Sequence, residues 1–247
     1  MVEINFLDKN QYVSKILLEK QNIPSFKHYP FSIPAVAKLD SLALHPNVTF
    51  LIGENGAGKS TLIEAIAIAF GFNPEGGSKH FTFSTRESHS PLHEHMVLCK
   101  GVKRPRDSFF LRAESFFNVA TNVDDLGVGE AYGEHSLHEQ SHGESFMSLF
   151  LHRFKGKGFY ILDEPEAALS PMRQLSFISR LHQLVVDNSQ FIIATHSPII
   201  LSYPNSYIYN IDESGINKIA YEQTDHFMIN KHFFNNRKAI LNELMQL

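Results

Sequence analysis

Thiol chemistry is nearly absent from the 247 residues: the one cysteine, Cys99, rules out an intrachain disulfide and fits a reducing compartment. It reads as a small buried apolar residue rather than a nucleophile. Long hydrophobic runs are missing too. A membrane helix needs about 20 apolar residues, and the longest uncharged apolar stretch, around 65–70, falls far short. The opening MVEINFLDKNQYVSK is polar and acidic where a secretory signal needs a basic start and an apolar run, so a cytoplasmic location is expected. This leaves a separate membrane partner open. There is no excess of positive charge either. A net charge of -4 gives no global basic field for nucleic acid or an anionic membrane, and only local patches remain to be weighed. Internal repeats and low-complexity segments are also lacking.

A hydrophobic content of 43% is enough for one substantial core, and a single domain over 1–247 is expected. Three short, almost continuously apolar runs, 48–52, 159–162 and 191–194, predict buried parallel strands. Each ends in polar residues, which places these residues together at the carboxyl edge of one sheet, where open α/β folds bind ligands. Residues 60–70 have a helical apolar pattern that Gly71 can end. A second helix is expected from Pro171, with Ser170 as N-cap and Leu175, Ile178, Leu181 and Leu184 as its buried stripe. It would form the right-handed crossover between the second and third strands. The middle, 76–133, is less periodic, with an additional strand at 109–112. A hairpin is expected from 206–209 and 216–221, and 233–244 reads as a closing amphipathic helix.

Gly53-Glu54-Asn55-Gly56-Ala57-Gly58-Lys59-Ser60, followed by Thr61, satisfies GxxxxGK[ST] between a predicted strand and a predicted helix. Glycines let the backbone curl so that N–H groups face phosphate oxygens, Lys59 reaches the β- and γ-phosphates, and the Ser60 hydroxyl suits Mg²⁺. Asp163 leaves the sheet at the same edge and can complete the Mg²⁺ shell opposite Ser60. Glu164 beside it is the natural base for an attacking water. His196 follows the third strand, where it can donate to the γ-phosphate.

Together with SHGES at 141–145, these segments resemble the ABC-type ATPase head shared by transporter motors and by SMC-like and RecF-like DNA-maintenance ATPases. GENGAGKST is similar to its Walker A, FYILDEP to its Walker B and catalytic Glu, and SHGES to its signature, usually LSGGQ. Residues 166–170 occupy the D-loop and 194–197 the switch histidine, although the family often has Asp where Ser170 stands. The resemblance implies an α/β P-loop fold with a mostly parallel core sheet, additional antiparallel strands and a small helical signature subdomain at about 115–156. It implies ATP and Mg²⁺ as ligands and a head-to-tail homodimer, in which Ser141, Gly143 and Glu144 of one copy cap the γ-phosphate held by the other. Ser141 offers a hydroxyl, Gly143 close approach, and a helix over 144–154 its positive end. SHGES lacks the leading Leu and has His142 and Glu144 in place of Gly and Gln. An ordinary capped helix start is the rival reading. The Q-loop position falls at Glu114, a further candidate metal-shell residue, where the family has Gln. Tyr29 or Phe31 could stack on adenine, with core packing equally open for each.

Fourteen histidines invite a metal hypothesis at His93 and His95 and at His135, His138 and His142, but no ligand spacing supports it and solvated loops are favoured. Lys100, Lys103, Arg104 and Arg106 read as a solvated loop rather than a DNA or RNA contact. About 80 residues without heptads separate Walker A from the signature, too few for the long coiled coil of the DNA-maintenance relatives. The expected function is a stand-alone ATPase that drives a change in a macromolecular partner. A transporter motor with a separate membrane subunit is one alternative, and a slow-turnover ATP sensor in DNA maintenance or phage defence is another.

Overall fold

Along 48–52, Val48, Phe50 and Ile52 face one way and Leu51 the other, and all four are buried, so this strand is covered on both sides. The computed structural model describes residues 11–77, 90–113 and 142–246. Its strands are β1 (Val13–Leu18), β2 (Ser41–Ala43), β3 (Val48–Gly53), β4 (Met96–Lys100), β5 (Asp107–Arg112), β6 (Gly158–Asp163), β7 (Gln190–Ala194), β8 (Tyr207–Asp212) and β9 (Gly215–Ile219). The helices are α1 (Pro34–Lys38), α2 (Lys59–Phe70), α3 (His142–His152), α4 (Pro171–Val186), α5 (Pro198–Leu201) and α6 (Asp225–Met245).

Six strands form one sheet in the order β5-β6-β7-β3-β8-β9, parallel except for the last pair. A second, antiparallel sheet has the order β2-β1-β4. The side-chain period of two gives the large sheet two apolar faces. On one face Leu51, Phe110, Ile161 and Ile192 join Leu62 and Ile66 of α2 and Ile16 of the small sheet. On the other, Phe50, Phe109, Tyr160 and Ile193 meet Phe146 and Phe150 of α3, Phe177 and Leu181 of α4, and Ile200 of α5. The result is a mixed α/β architecture with a mostly parallel core sheet and additional antiparallel strands.

Two polar hubs fasten these layers. Gln190, 1% exposed, accepts from Tyr12 N–H (3.0 Å) and Val13 N–H (2.9 Å) and donates to the carbonyls of Val13 (2.7 Å) and His45 (3.0 Å). It joins the small sheet to β7 with every hydrogen-bonding direction of its amide in use. Asp107 accepts from Tyr160 Oη (2.8 Å), Arg153 Nη1 (2.7 Å) and Lys155 N–H (3.2 Å), which ties the end of α3 to β5 and β6. Burial, reinforced by the Asp107 carboxylate, pushes the Tyr160 phenol well up and keeps it a donor. Stacked rings at 4.4 Å, Phe150 on Phe177 and Phe154 on Tyr160, pack α3 against α4 and the sheet.

Several expectations are met. The three predicted strands are β3, β6 and β7, Ser170 Oγ caps α4 by accepting from Arg173 N–H, and Gly71 ends α2 in the left-handed region. Others need correction. Leu175 is 54% exposed, because α4 turns Phe177, Leu181 and Leu184 to the core and Phe177 is claimed by Phe150. The closing helix begins at Asp225 instead, capped by Thr224, and none of its residues is buried. Phe233, Ile240 and Leu241 form only a half-buried stripe, while Phe234 and Leu244 are exposed. The hairpin is tighter than expected, since β8 runs on to Asp212 and leaves only Glu213 and Ser214 between the strands. Cys99 is half-buried in β4 rather than buried. The basic residues 103, 104 and 106 lie exposed between β4 and β5.

Removing the Asp107 carboxylate takes away the half-buried acceptor that Arg153 and Tyr160 share. Asp107→Ala should cost about 3 kcal/mol and Tyr160→Phe about 1 kcal/mol, read as shifts in the urea midpoint.

Candidate functional site

The phosphate loop leaves β3 at Gly53, where φ is +150° and an added Cβ would lie 2.3 Å from the Ile211 carbonyl oxygen of β8. Gly58, at φ +100°, starts α2, and a Cβ there would lie 2.8 Å from Ile33 Cγ2. Both positions therefore demand glycine for space as well as for backbone angle. Lys59, 5% exposed, donates to the carbonyls of Gly53 (2.8 Å) and Glu54 (3.0 Å) and so holds the loop curled. Burial pushes its ammonium pKa down, against the opposing pull of Glu164, Asp163 and Glu166, whose carboxylates gather around it. Ser60 and Thr61 follow in the first turn of α2.

β6 brings Asp163 to the same edge, almost fully buried. In register, Asp163 stands beside Ala194 of β7 and Arg112 of β5. Arg112 Nε lies 3.6 Å from Asp163 Oδ2, while its Nη1 pairs at 2.7 Å with Glu64 Oε2. Glu64 lies four residues after Ser60, on α2. Glu164 adopts left-handed backbone (φ 53°), uncommon for a side chain of this size, and its N–H bonds Ala194 O at 2.9 Å.

β7 delivers Thr195 and His196. Glu166 grips both: Oε2 accepts from Thr195 Oγ1 at 2.7 Å and Oε1 from His196 N–H at 2.5 Å. The His196 ring is thereby set with Nε2 at 3.6 Å from Glu164 Oε1 and Nδ1 at 3.3 Å from His226 Nε2 of α6. A cavity of about 1000 Å³ opens beside the loop, lined by Gly53, Asn55, His196, Asn210, Asp225 and His226 among others. Lys59, Asp163, Glu164 and His196 thus share one sheet edge, as the strand pattern predicted.

Gly143 and Glu144 of the expected signature pack against residues 168 and 173. Gly143 is buried in the first turn of α3, where a Cβ would lie 2.4 Å from Arg173 Nη1 and 2.5 Å from Ala168 O. Glu144 pairs with Arg173 at 3.0 Å. Among the described residues, none of α3 lines the cavity at the phosphate loop. Ser141 and Glu114 lie outside the described residues, as do His135 and His138. Of the two aromatic candidates, Phe31 is buried and packs edge-on to His95 at 5.2 Å. Tyr29 is 65% exposed and its hydroxyl lies 3.2 Å from Thr61 Oγ1.

Three residues at the site were not singled out for these contacts from the sequence. Glu166 sits inside the DEPE run, so its proximity was legible but not its grip on Thr195 and His196. Arg112 ends a predicted strand and could have been inferred from parallel register. His226 carries no local signal, because α6 brings it from 30 residues beyond His196.

The AAA domain family model matches residues 18–102, the part that carries the phosphate loop. Among solved structures, cbiO1 from Clostridium perfringens, part of the ABC transporter complex cbiONQ, is 17% identical over 96% of this chain and 100% of its own, with a TM-score of 0.50. The SMC head domain from Thermotoga maritima is 14% identical over 85% of this chain and 100% of its own, with a TM-score of 0.46. No curated protein sequence matches. The chain has the fold of an ABC-type P-loop ATPase head.

Without its carboxylate, residue 166 strands the Thr195 hydroxyl and the His196 N–H. Glu166→Ala should lower unfolding free energy by about 2 kcal/mol and Glu166→Gln, which keeps an acceptor, by about 1 kcal/mol, measured by urea unfolding without nucleotide.

Proposed function

We propose that the protein is a single-domain, Mg-ATP-dependent ATPase of the cytoplasm that dimerises head-to-tail around ATP and hydrolyses it to drive a conformational or signalling change in a macromolecular partner. The observation that carries this reading is the convergence of Glu164 and His196, 3.6 Å apart, on the edge that also holds Lys59 and Asp163. A bare nucleotide-binding loop needs neither a base nor a second donor beside it.

In this reading the N–H groups of residues 54–61 and the Lys59 ammonium receive the β- and γ-phosphates. Glu164 accepts a proton as the water oxygen bonds the γ-phosphorus and the bond to the bridging oxygen of ADP breaks, and His196 donates to a γ-phosphate oxygen. Mg²⁺ fits the donor set, since a hydroxyl at Ser60 and a buried carboxylate at Asp163 are hard oxygen ligands, and it would neutralise charge on the phosphates. Arg112, 3.6 Å from Asp163, sets a positive charge beside that carboxylate. Tyr29, exposed beside Thr61, is the better adenine platform of the two aromatics.

The dimer is supported by the placement of Gly143 and Glu144 against Ala168 and Arg173, with no described residue of α3 lining the cavity at the phosphate loop. In this reading the start of α3 serves the triphosphate of a second copy rather than that of its own chain. No helix among the described residues is long and apolar enough to cross a membrane, so a transporter role would need a separate membrane subunit.

Phosphate release should rise faster than linearly with protein concentration in the range where monomers dominate. A linear dependence there contradicts the composite site. Lys59→Ala should abolish ATP binding, and Glu164→Gln should lower turnover by about 10²-fold or more while accumulating an ATP-bound dimer on a sizing column. Rates measured with DNA and with candidate membrane subunits identify the partner class.

A further inference from the structure

His196 Nδ1 and His226 Nε2 lie 3.3 Å apart, so one proton is shared between two imidazole nitrogens. Two arrangements of neutral rings are available. If His196 donates, its Nε2 becomes a bare lone pair 3.6 Å from the Glu164 carboxylate, and His226 keeps a buried Nδ1–H with no acceptor among the described residues. Both consequences are unfavourable, one by repulsion and one by an unmet buried donor. If His226 donates, the His196 proton sits on Nε2 and faces Glu164, and only a lone pair is left buried at His226 Nδ1.

We infer that His226 is the positioning residue for His196: its Nε2–H fixes the His196 tautomer and ring so that Nε2–H is presented to the γ-phosphate side of the site. The inference rests on the ATPase reading above for the meaning of that proton, but the tautomer itself follows from the ring contacts. Burial, followed by the neighbouring His196, pushes the His226 pKa down, which keeps it the neutral donor that this arrangement requires.

The frame around His226 is built to hold it. Thr224, fully buried, caps α6 by accepting from Phe227 N–H at 3.2 Å, and Asn230 Nδ2 donates back to His226 O at 2.7 Å. Tyr221 Oη donates to Pro198 O at 2.9 Å, which anchors the segment before α6 to the start of α5, two residues after His196. The Phe227 ring packs on Tyr221 at 4.9 Å. The helix therefore reaches the site through a short, tied path, although its later turns are exposed. This gives α6 a role that its weak packing against the core does not supply.

The test compares full-length wild type with His226→Phe, His226→Gln, His196→Ala and the His196→Ala/His226→Phe double variant. His226→Phe should lower kcat about 10-fold or more, with the dissociation constant of a fluorescent ATP analogue changed less than about 2-fold. His226→Gln retains an N–H donor and should recover most of the loss. In the His196→Ala background the second substitution should cost nothing further, because the partner it positions is gone. Thermal unfolding of each variant separates these effects from misfolding. The inference is overturned if well-folded His226→Phe turns over like wild type, if His226→Gln is as impaired as His226→Phe, or if the two losses multiply. Ring ¹⁵N–¹H spectra decide the matter independently of turnover. His196 should be protonated at Nε2 in wild type and lose that preference in His226→Phe, whereas an Nδ1-protonated wild-type ring overturns the inference. A wild type with this tautomer but no ATP turnover would defeat the ATPase reading and leave the positioning intact.

Discussion

Parallel register is the constraint from which the site follows. Asp163 pairs with Ala194, and Ala194 with Leu51, so three chain segments leave the sheet at one level. A slip of one residue would turn every side chain of the shifted strand to the opposite face. Two residues would displace its end by about 7 Å, beyond the reach of Glu166 to Thr195 and His196. The apolar alternation that fills both cores is therefore also what aligns the carboxylates with the histidine and the phosphate loop.

Local patterning made most of this readable in advance. The strands at β3, β6 and β7 are almost continuously apolar runs, and the loop has glycines where an added Cβ would strike Ile211 or Ile33. What escaped was non-local. β2 is exposed, buried, exposed along its three residues, too brief a pattern to name a strand. The stripe assigned to α4 failed at Leu175 because helical periodicity says which residues share a face, not which neighbour arrives to cover it. The same limit explains α6, whose apolar positions stay at most half-buried among the described residues. His226 was invisible for the complementary reason: its environment is made by residues that are distant in sequence.

Charge at this edge is arranged in a relay. Glu164, Asp163 and Glu166 all act on the Lys59 ammonium, and Arg112 is shared between Asp163 and Glu64. Carboxylates at such density repel one another unless cations are interleaved, and here Lys59 and Arg112 do this from two directions. Glu144 is matched by Arg173 in the same way.

Gln190 carries a consequence of another kind. Its amide meets two donors and two acceptors, so the position requires both polarities in one side chain. Glutamate would face carbonyls with oxygen, and a hydrocarbon would desert all four groups. The strand that delivers the histidine is thus clamped, at its other end, by a side chain with no chemical substitute, and any tilt of the small sheet is handed straight down that strand.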